Sequence, residues 1–478
     1  MTQIVSAARA TFQKELRLLL RDPFCVALLA CFSIGLALAS WNSHALWRGI
    51  AIQQTERQAD AREAWLAQPT ANAHMATHVG QTVYKPISPL TGFDHGAVSN
   101  FGSTIFLQSH HQSTARNNPR EDSIDLLQNE AYSPAVLLAL IGPLLIIVLG
   151  CASIAREKEG GTLSILLTTG AKWSAIASGK SLAVLLVLFI VAIPGLLLLA
   201  IPWFESNRLL PSLDLLVRAA VVFAALTAYY IGWLGLTFLV SSKSSTTTGS
   251  FSVLIALWSV FALVMPRIAG DVATFASPLP TNAEIRLEKE NAVHDSNKSS
   301  VIKTNANKAL EDRLLKEFKV ERIEDLPIDI AGARMIDQEV QTNRLYDEIE
   351  GRVAQARNRQ NEWVAGFQFA SPYLTMRAVS ASLSATDRTH HFDFVNSAES
   401  YRRQFVKDLN LAEMNKQKLG NSPEDRRVFW EQVTEFQPNF VLAMQDVKRS
   451  LVGLLCIIAW AILMGIASLF APPKISRT

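Results

Sequence analysis

The chain has 478 residues, of which 49% are apolar and 18% charged. That mixture excludes a protein made of membrane spans alone and suits apolar spans joined to sizeable polar parts. A formal net charge of +3 is too small to argue for nucleic acid as a partner, so the placement of the charges carries the information.

In chain order, residues 1–23 read as an amphipathic helix carrying Lys14, Glu15, Arg17, Arg21 and Asp22 ahead of Pro23. Six apolar runs of spanning length follow, at 24–41, 134–155, 175–203, 215–240, 250–266 and 450–470. The third is long enough to tilt or kink and contains Pro194 and Pro202. A polar tail occupies 471–478. Charge in the short loops sets the orientation. Arg9, Lys14, Arg17 and Arg21 precede the first run, and Arg156, Lys158 and Lys172 separate the second from the third. Lys243 lies between the fourth and fifth runs, and Lys474 and Arg477 follow the sixth. All of these share one side if both termini are cytoplasmic. The short loop on the other side balances Glu205 and Asp214 against Arg208 and Arg218. Ala37-Leu38-Ala39 has the form of a signal-peptidase site, but a long amphipathic stretch before it is unusual for a signal peptide, and the first run is read as a retained span.

Two long segments then lie outside, at 42–133 and 267–447. The first begins as a continuation of the first span, over 45–67, and turns irregular through VYKPISPLTGFDHGAVSNFGSTIFLQSHHQ, where proline, glycine and aromatics predict strands and turns. The second reads as long amphipathic helices from 282 to 368 with a break at Leu326-Pro327, followed by helices at about 397–418 and 423–436. Heptads are not sustained, so a helical bundle is expected rather than a stalk. Cys25, Cys31, Cys151 and Cys456 all fall in apolar runs, so the outer segments contain no thiol and need no disulfide. The expected fold is an all-α membrane protein: six transmembrane helices, a first extracytoplasmic segment of mixed structure and a second that is a helical bundle.

Residues 156–174, between the second and third runs, are the most informative. Arg156, Glu157, Lys158 and Glu159 precede Gly160, Gly161 and Thr162, and then Leu163, Leu166 and Leu167 recur at helical i, i+3, i+4 spacing. Such a segment belongs at the membrane–water boundary with one apolar face. The stretch AREKEGGTLSILLTTGAKWSAIASGK resembles the segment after the second membrane helix of ABC-2 type permeases. There a charged REREEGTLELLL(S/T)TP pattern forms a coupling helix that docks on an ATPase subunit. FQKELRLLLRDP, ending at Pro23, resembles that family's amphipathic N-terminal helix, KELRxLLRDP. Gly160-Gly161 replaces a single glycine, Ser164 stands where an acid is usual, and Thr169-Gly170-Ala171 replaces Thr-Pro. The irregular stretch of the first outer segment, together with 371–410, resembles the branch of that family with two large extracytoplasmic insertions, after spans one and five.

The resemblance implies a permease subunit of an exporter in a bacterial inner membrane, with both termini cytoplasmic, the insertions periplasmic and the cargo unidentified. It implies a cytosolic ATPase dimer and a second permease, identical or homologous, as partners. ATP and Mg would be held by the ATPase, and no cofactor by this chain. Glu157 and Glu159 would contact the ATPase, while Leu163, Leu166 and Leu167 would anchor the coupling helix to the spans. The size of the insertions leaves open a mechanotransmission complex that drives a periplasmic partner without transport. A membrane-anchored sensor is a further alternative, which the coupling motif disfavours.

No enzyme motif competes with this reading. Gly179-Lys180-Ser181 has the ending of a phosphate-binding loop, but Ser174 stands where its first glycine is required and no strand precedes it. Lys180 is expected to snorkel to the cytoplasmic interface. His-Glu-x-x-His, Gly-x-Ser-x-Gly and paired carboxylates within a span are absent. All nine histidines lie outside the spans. His74 and His78 have i, i+4 spacing and His110-His111 form a doublet, a type of cluster that can ligate copper or zinc. Doublet rings point to different faces and no acid sits at a tight motif spacing, so they are read as surface or core histidines and no metal is assigned.

Overall fold

The breaks between helices fall where the sequence supplies caps. In the computed structural model, which describes residues 2–98, 101–112, 133–205, 213–298, 300–417, 419–420, 422–438, 441–470 and 472, helix α1 (Thr2–Arg21) stops at Asp22. The Asp22 carboxylate accepts from Phe24 N at 2.9 Å, and Pro23, which has no N–H to satisfy, opens α2 (Pro23–Leu66). Ser133 and Pro134 start α4 (Pro134–Glu159) in the same way, after α3 (Ala73–Val79) and the antiparallel pair β1 (Gln81–Tyr84) and β2 (Thr104–Leu107). A short α5 (Thr162–Thr168) then precedes α6 (Trp173–Glu205) and α7 (Leu213–Lys243).

The run expected to end at Pro266 continues. Helix α8 (Thr247–Ser259) passes through a π-turn at Val260–Val264 into α9 (Met265–Ala276). A π-turn re-pairs backbone groups where Pro266 lacks an N–H, so the proline is absorbed instead of terminating the helix. Among the described residues, six helices are long and apolar enough to cross a membrane: α2, α4, α6, α7, the α8–α9 pair and α17 (Leu451–Phe470). Beyond them the described chain is almost wholly helical, with one two-stranded sheet.

Between the spans, α7 lies along α17, α2 along α6, and α4 against α7 and α8. The closeness of the α7–α17 contact requires glycine: a Cβ on Gly235 would stand 2.5 Å from the Met464 backbone. Tyr229 and Trp233 of α7 are fully buried in the core of this bundle. Its outer surface is apolar as well. Leu182, Ile190, Ile193 and Leu197 of α6 and Leu455, Ile462 and Leu463 of α17 are all exposed. A surface of that kind is stable against lipid, not water.

The two insertions, far apart in sequence, build one body. Helices α10 (Asn282–Lys298), α11 (Ser300–Phe318), α12 (Ile330–Gln368), α13 (Pro372–Leu383), α14 (Arg388–Met414), α15 (Pro423–Glu431) and α16 (Ala443–Arg449) come from the second. The break at Leu326-Pro327 falls between α11 and α12 as expected. Helix α14 starts earlier than expected, because the Asp387 carboxylate caps His390 N at 2.9 Å. Trp65, Ala73 and Ala76 of the first insertion share a core with Phe405, Leu409 and Trp430 of the second, and β1–β2 packs on Phe394 and Ala398. Helix α13 leaves this body and enters the core of the bundle, where Tyr373, Met376, Val379 and Leu383 are buried among span residues. The tail with Lys474 and Arg477, the Arg208 loop and residues 113–132 lie outside the described residues.

Candidate functional site

At the end of the bundle where α1 and α5 lie, four charged side chains join three helices. Lys180, about two turns into α6, is only 2% exposed at its side chain, and its Nζ donates to Glu15 Oε2 of α1 at 2.6 Å. The same ammonium donates to Ser153 O of α4 at 3.1 Å and lies 3.3 Å from Glu157 Oε1. Glu157 in turn accepts from Lys14 at 2.7 Å. The snorkelling expected of Lys180 is therefore corrected. Helix α1 covers it, coming so near α6 that a Cβ on Gly179 would stand 2.5 Å from Ala8 O, and two carboxylates compensate its charge in place of water.

Each residue of the predicted coupling segment can now be placed. Glu157 is turned into this network. Glu159 accepts from Thr247 N at 2.7 Å and Thr247 Oγ1 at 2.8 Å, tying the end of α4 to the start of α8. Both glutamates therefore also hold α4 to its neighbours within this chain. Arg156 is exposed, 4.0 Å from Asp22. Gly161 has φ of 70° and turns the chain into α5. Leu163 is buried in the bundle core, and Leu166 and Leu167 pack against it, which places the leucine face where the spacing predicted. Thr162, Thr168 and Ile165 form the opposite, open face, with Ile165 62% exposed. Of the N-terminal helix residues, Arg17 and Arg21 are exposed.

The other end of the bundle has a second buried charge network, which the sequence reading did not identify. Arg218 of α7 donates to Asp214 Oδ2 at 2.8 Å, to Asp446 Oδ2 of α16 at 2.6 Å and to Leu383 O of α13 at 3.0 Å. His390 stands between Asp446, at 3.1 Å, and Asp387, at 2.6 Å. Burial opposes its protonation, but the hydrogen bonds and charges of those two carboxylates prevail and raise it to about 9. Arg377 of α13 pairs with the fully buried Asp94 of the first insertion at 2.8 Å. The insertion body is therefore joined to the bundle by ion pairs as well as by the apolar face of α13. Below this junction an apolar cavity of about 260 Å³ opens between α2, α4, α6 and α7, lined by Phe32, Phe93, Leu138, Phe223 and Tyr230 among others.

In the insertion body, His74, His78 and His110 converge. One ring nitrogen of each lies within 4.8 Å of the others, a group that does not include His111. The sequence reading paired His74 with His78 and His110 with His111; that His110 of the turn after β2 meets α3 is decided by the tertiary fold. Burial and the charges of the neighbouring histidines lower the His78 imidazole below its ordinary value.

Residues 286–439 match the family described as a domain of unknown function (DUF3526), a span running from α10 to just past α15. No curated protein and no solved structure matches the chain.

Proposed function

We propose that this chain is the membrane permease subunit of an ABC-2 type exporter, driven by a separate cytosolic ATPase dimer and paired with a second permease. The observation that carries the proposal is α5: a short helix anchored to the bundle by Leu163, presenting Ile165 and two threonines outward, and connected through α4 and Lys180 to the amphipathic α1. A push on the open face of α5 is passed to α4 directly and to α6 and α1 through the Glu157–Lys180–Glu15 network, so the spans move as a set. In this reading both termini are cytoplasmic, the membrane is a bacterial inner membrane, the insertion body is periplasmic and the apolar cavity suits an apolar or amphipathic cargo. ATP and Mg belong to the partner.

One observation favours mechanotransmission as a second reading. Helix α13 and the Arg218–Asp446–His390 network attach the insertion body to α7 of the bundle, a connection able to deliver a stroke to a partner without a substrate. The first experiment is a mild-detergent pull-down from native membranes, read by mass spectrometry, on wild type and Ile165→Glu. A nucleotide-binding subunit recovered with wild type and lost with Ile165→Glu supports the permease reading. No such subunit with wild type, or undiminished recovery with the variant, overturns it. Flux of cargo in proteoliposomes then separates export from mechanotransmission.

A further inference from the structure

We propose that His74, His78 and His110 form a binding site for one divalent transition-metal ion of the zinc–copper class. The site is independent of the transport reading and lies in the insertion body, where α3, the end of β2 and α14 meet.

The geometry begins with the helix. Histidines at i and i+4 share a face of α3, and the Nε2 atoms of His74 and His78 stand 3.4 Å apart. Two nitrogens bound to one four-coordinate zinc at about 2.0–2.1 Å are separated by about 3.3–3.4 Å. A hydrogen bond between the two rings would explain that pair alone. It does not explain the third ring. His110 comes from a different element and adopts φ of 62°, a left-handed conformation that costs a non-glycine residue energy. Its N–H donates to Glu339 Oε2 at 3.2 Å and its carbonyl accepts from Tyr346 Oη at 2.8 Å, so the strained backbone is held from both sides. Strain fixed in this way aims the ring at the other two.

Each imidazole also has a polar neighbour near its Nδ1. His74 Nδ1 lies 2.8 Å from Asn410 Oδ1, His78 Nδ1 lies 3.2 Å from Ser109 Oγ, and His110 Nδ1 lies 3.1 Å from Glu339 Oε2. An amide oxygen only accepts, so His74 donates from Nδ1 to Asn410 and can keep a lone pair on Nε2. Glu339 is itself held by the buried Arg402 at 2.6 Å. An amide behind His74 and a carboxylate beside His110 resemble the partners that fix the tautomer and raise ligand basicity in metal sites. Three imidazole nitrogens select zinc, copper or nickel over calcium or magnesium, which require oxygen. His74 is nearly buried and His78 is exposed, so an ion has a route from solvent and one coordination position faces it.

The test uses the full-length protein in detergent, stripped with a chelator and titrated with Zn²⁺ by calorimetry, with Co²⁺ absorption as a report of coordination geometry. Wild type is expected to bind one Zn²⁺ per chain and to give a four-coordinate Co²⁺ spectrum. His78→Ala, at an exposed position where folding is spared, should weaken binding at least about a hundredfold, and Asn410→Ala about tenfold to a hundredfold. His111→Ala should bind as wild type. Circular dichroism of each variant separates loss of the site from loss of the fold. Absence of saturable binding in folded wild type would overturn the proposal, as would unchanged binding in both His78→Ala and His110→Ala. So would an equal loss in His111→Ala, which would indicate chelation by surface histidines.

Discussion

Replacing Lys180 by methionine tests whether the buried charges at the α1 end hold the structure together. The substitution keeps the length of the side chain and removes its charge. Glu15, 4% exposed at its side chain, then loses the ammonium 2.6 Å away, while Glu157 keeps Lys14 at 2.7 Å. The damage therefore falls on Glu15. Leaving one member of a buried pair unpartnered costs about 3–5 kcal/mol. Replacing both, as Glu15→Leu with Lys180→Met, removes the desolvation cost together with the attraction and is expected to be near neutral. A double-mutant cycle should then return a coupling energy of at least about 3 kcal/mol, at or beyond the upper end for groups in direct contact. The assay is thermal unfolding in mild detergent, joined to limited proteolysis at the exposed Arg17 and Arg21, since a loosened α1 is cut sooner. The reasoning is refuted if Lys180→Met is as stable as the double variant, or if α1 becomes no easier to cleave.

Gly235→Val should force α7 off α17, because a Cβ there would stand 2.5 Å from backbone; overpacking of this kind costs about 1–3 kcal/mol, read as a lower unfolding temperature. Trp430→Ala empties a fully buried site against Trp65, whose ring centroid is 5.5 Å away, and should destabilise the insertion body by about 3–5 kcal/mol without reducing pull-down of an ATPase. His390 yields a pH prediction. Its value is raised from 6.5 to about 9, so its contribution is complete below about pH 6.5 and is lost as pH rises through about 9, with an upper bound of about 3 kcal/mol. Lys85, lowered by burial to about 8, acts in the opposite sense above that pH. The measurement is therefore the gap in unfolding temperature between wild type and His390→Gln, which should narrow from pH 7 to pH 10; a constant gap would count against the paired imidazolium.

The sequence alone determined the properties that depend on local composition. Apolar length placed six spanning helices, Asp22-Pro23 and Leu326-Pro327 marked breaks, and the i, i+3, i+4 leucines identified the buried face of α5, because hydropathy, proline geometry and helical period act within a few residues. Long-range pairing was not legible. Glu15 and Lys180 are 165 positions apart, and nothing near Lys180 marked it as a buried partner and not a surface charge. The same holds for the intramolecular bonds of Glu157 and Glu159, whose donors on α1, α6 and α8 are distant in sequence. His74, His78 and His110 lie on two elements that meet only because both insertions fold around one core, and Glu339, Asn410 and Arg402, which orient or brace them, come from the second insertion. Helix α13 has ordinary amphipathic composition; only its packing against α7 and α17 places it among the spans. Whether a buried charge or ring finds its partner depends on contacts that close long loops, and that is decided by the fold as a whole.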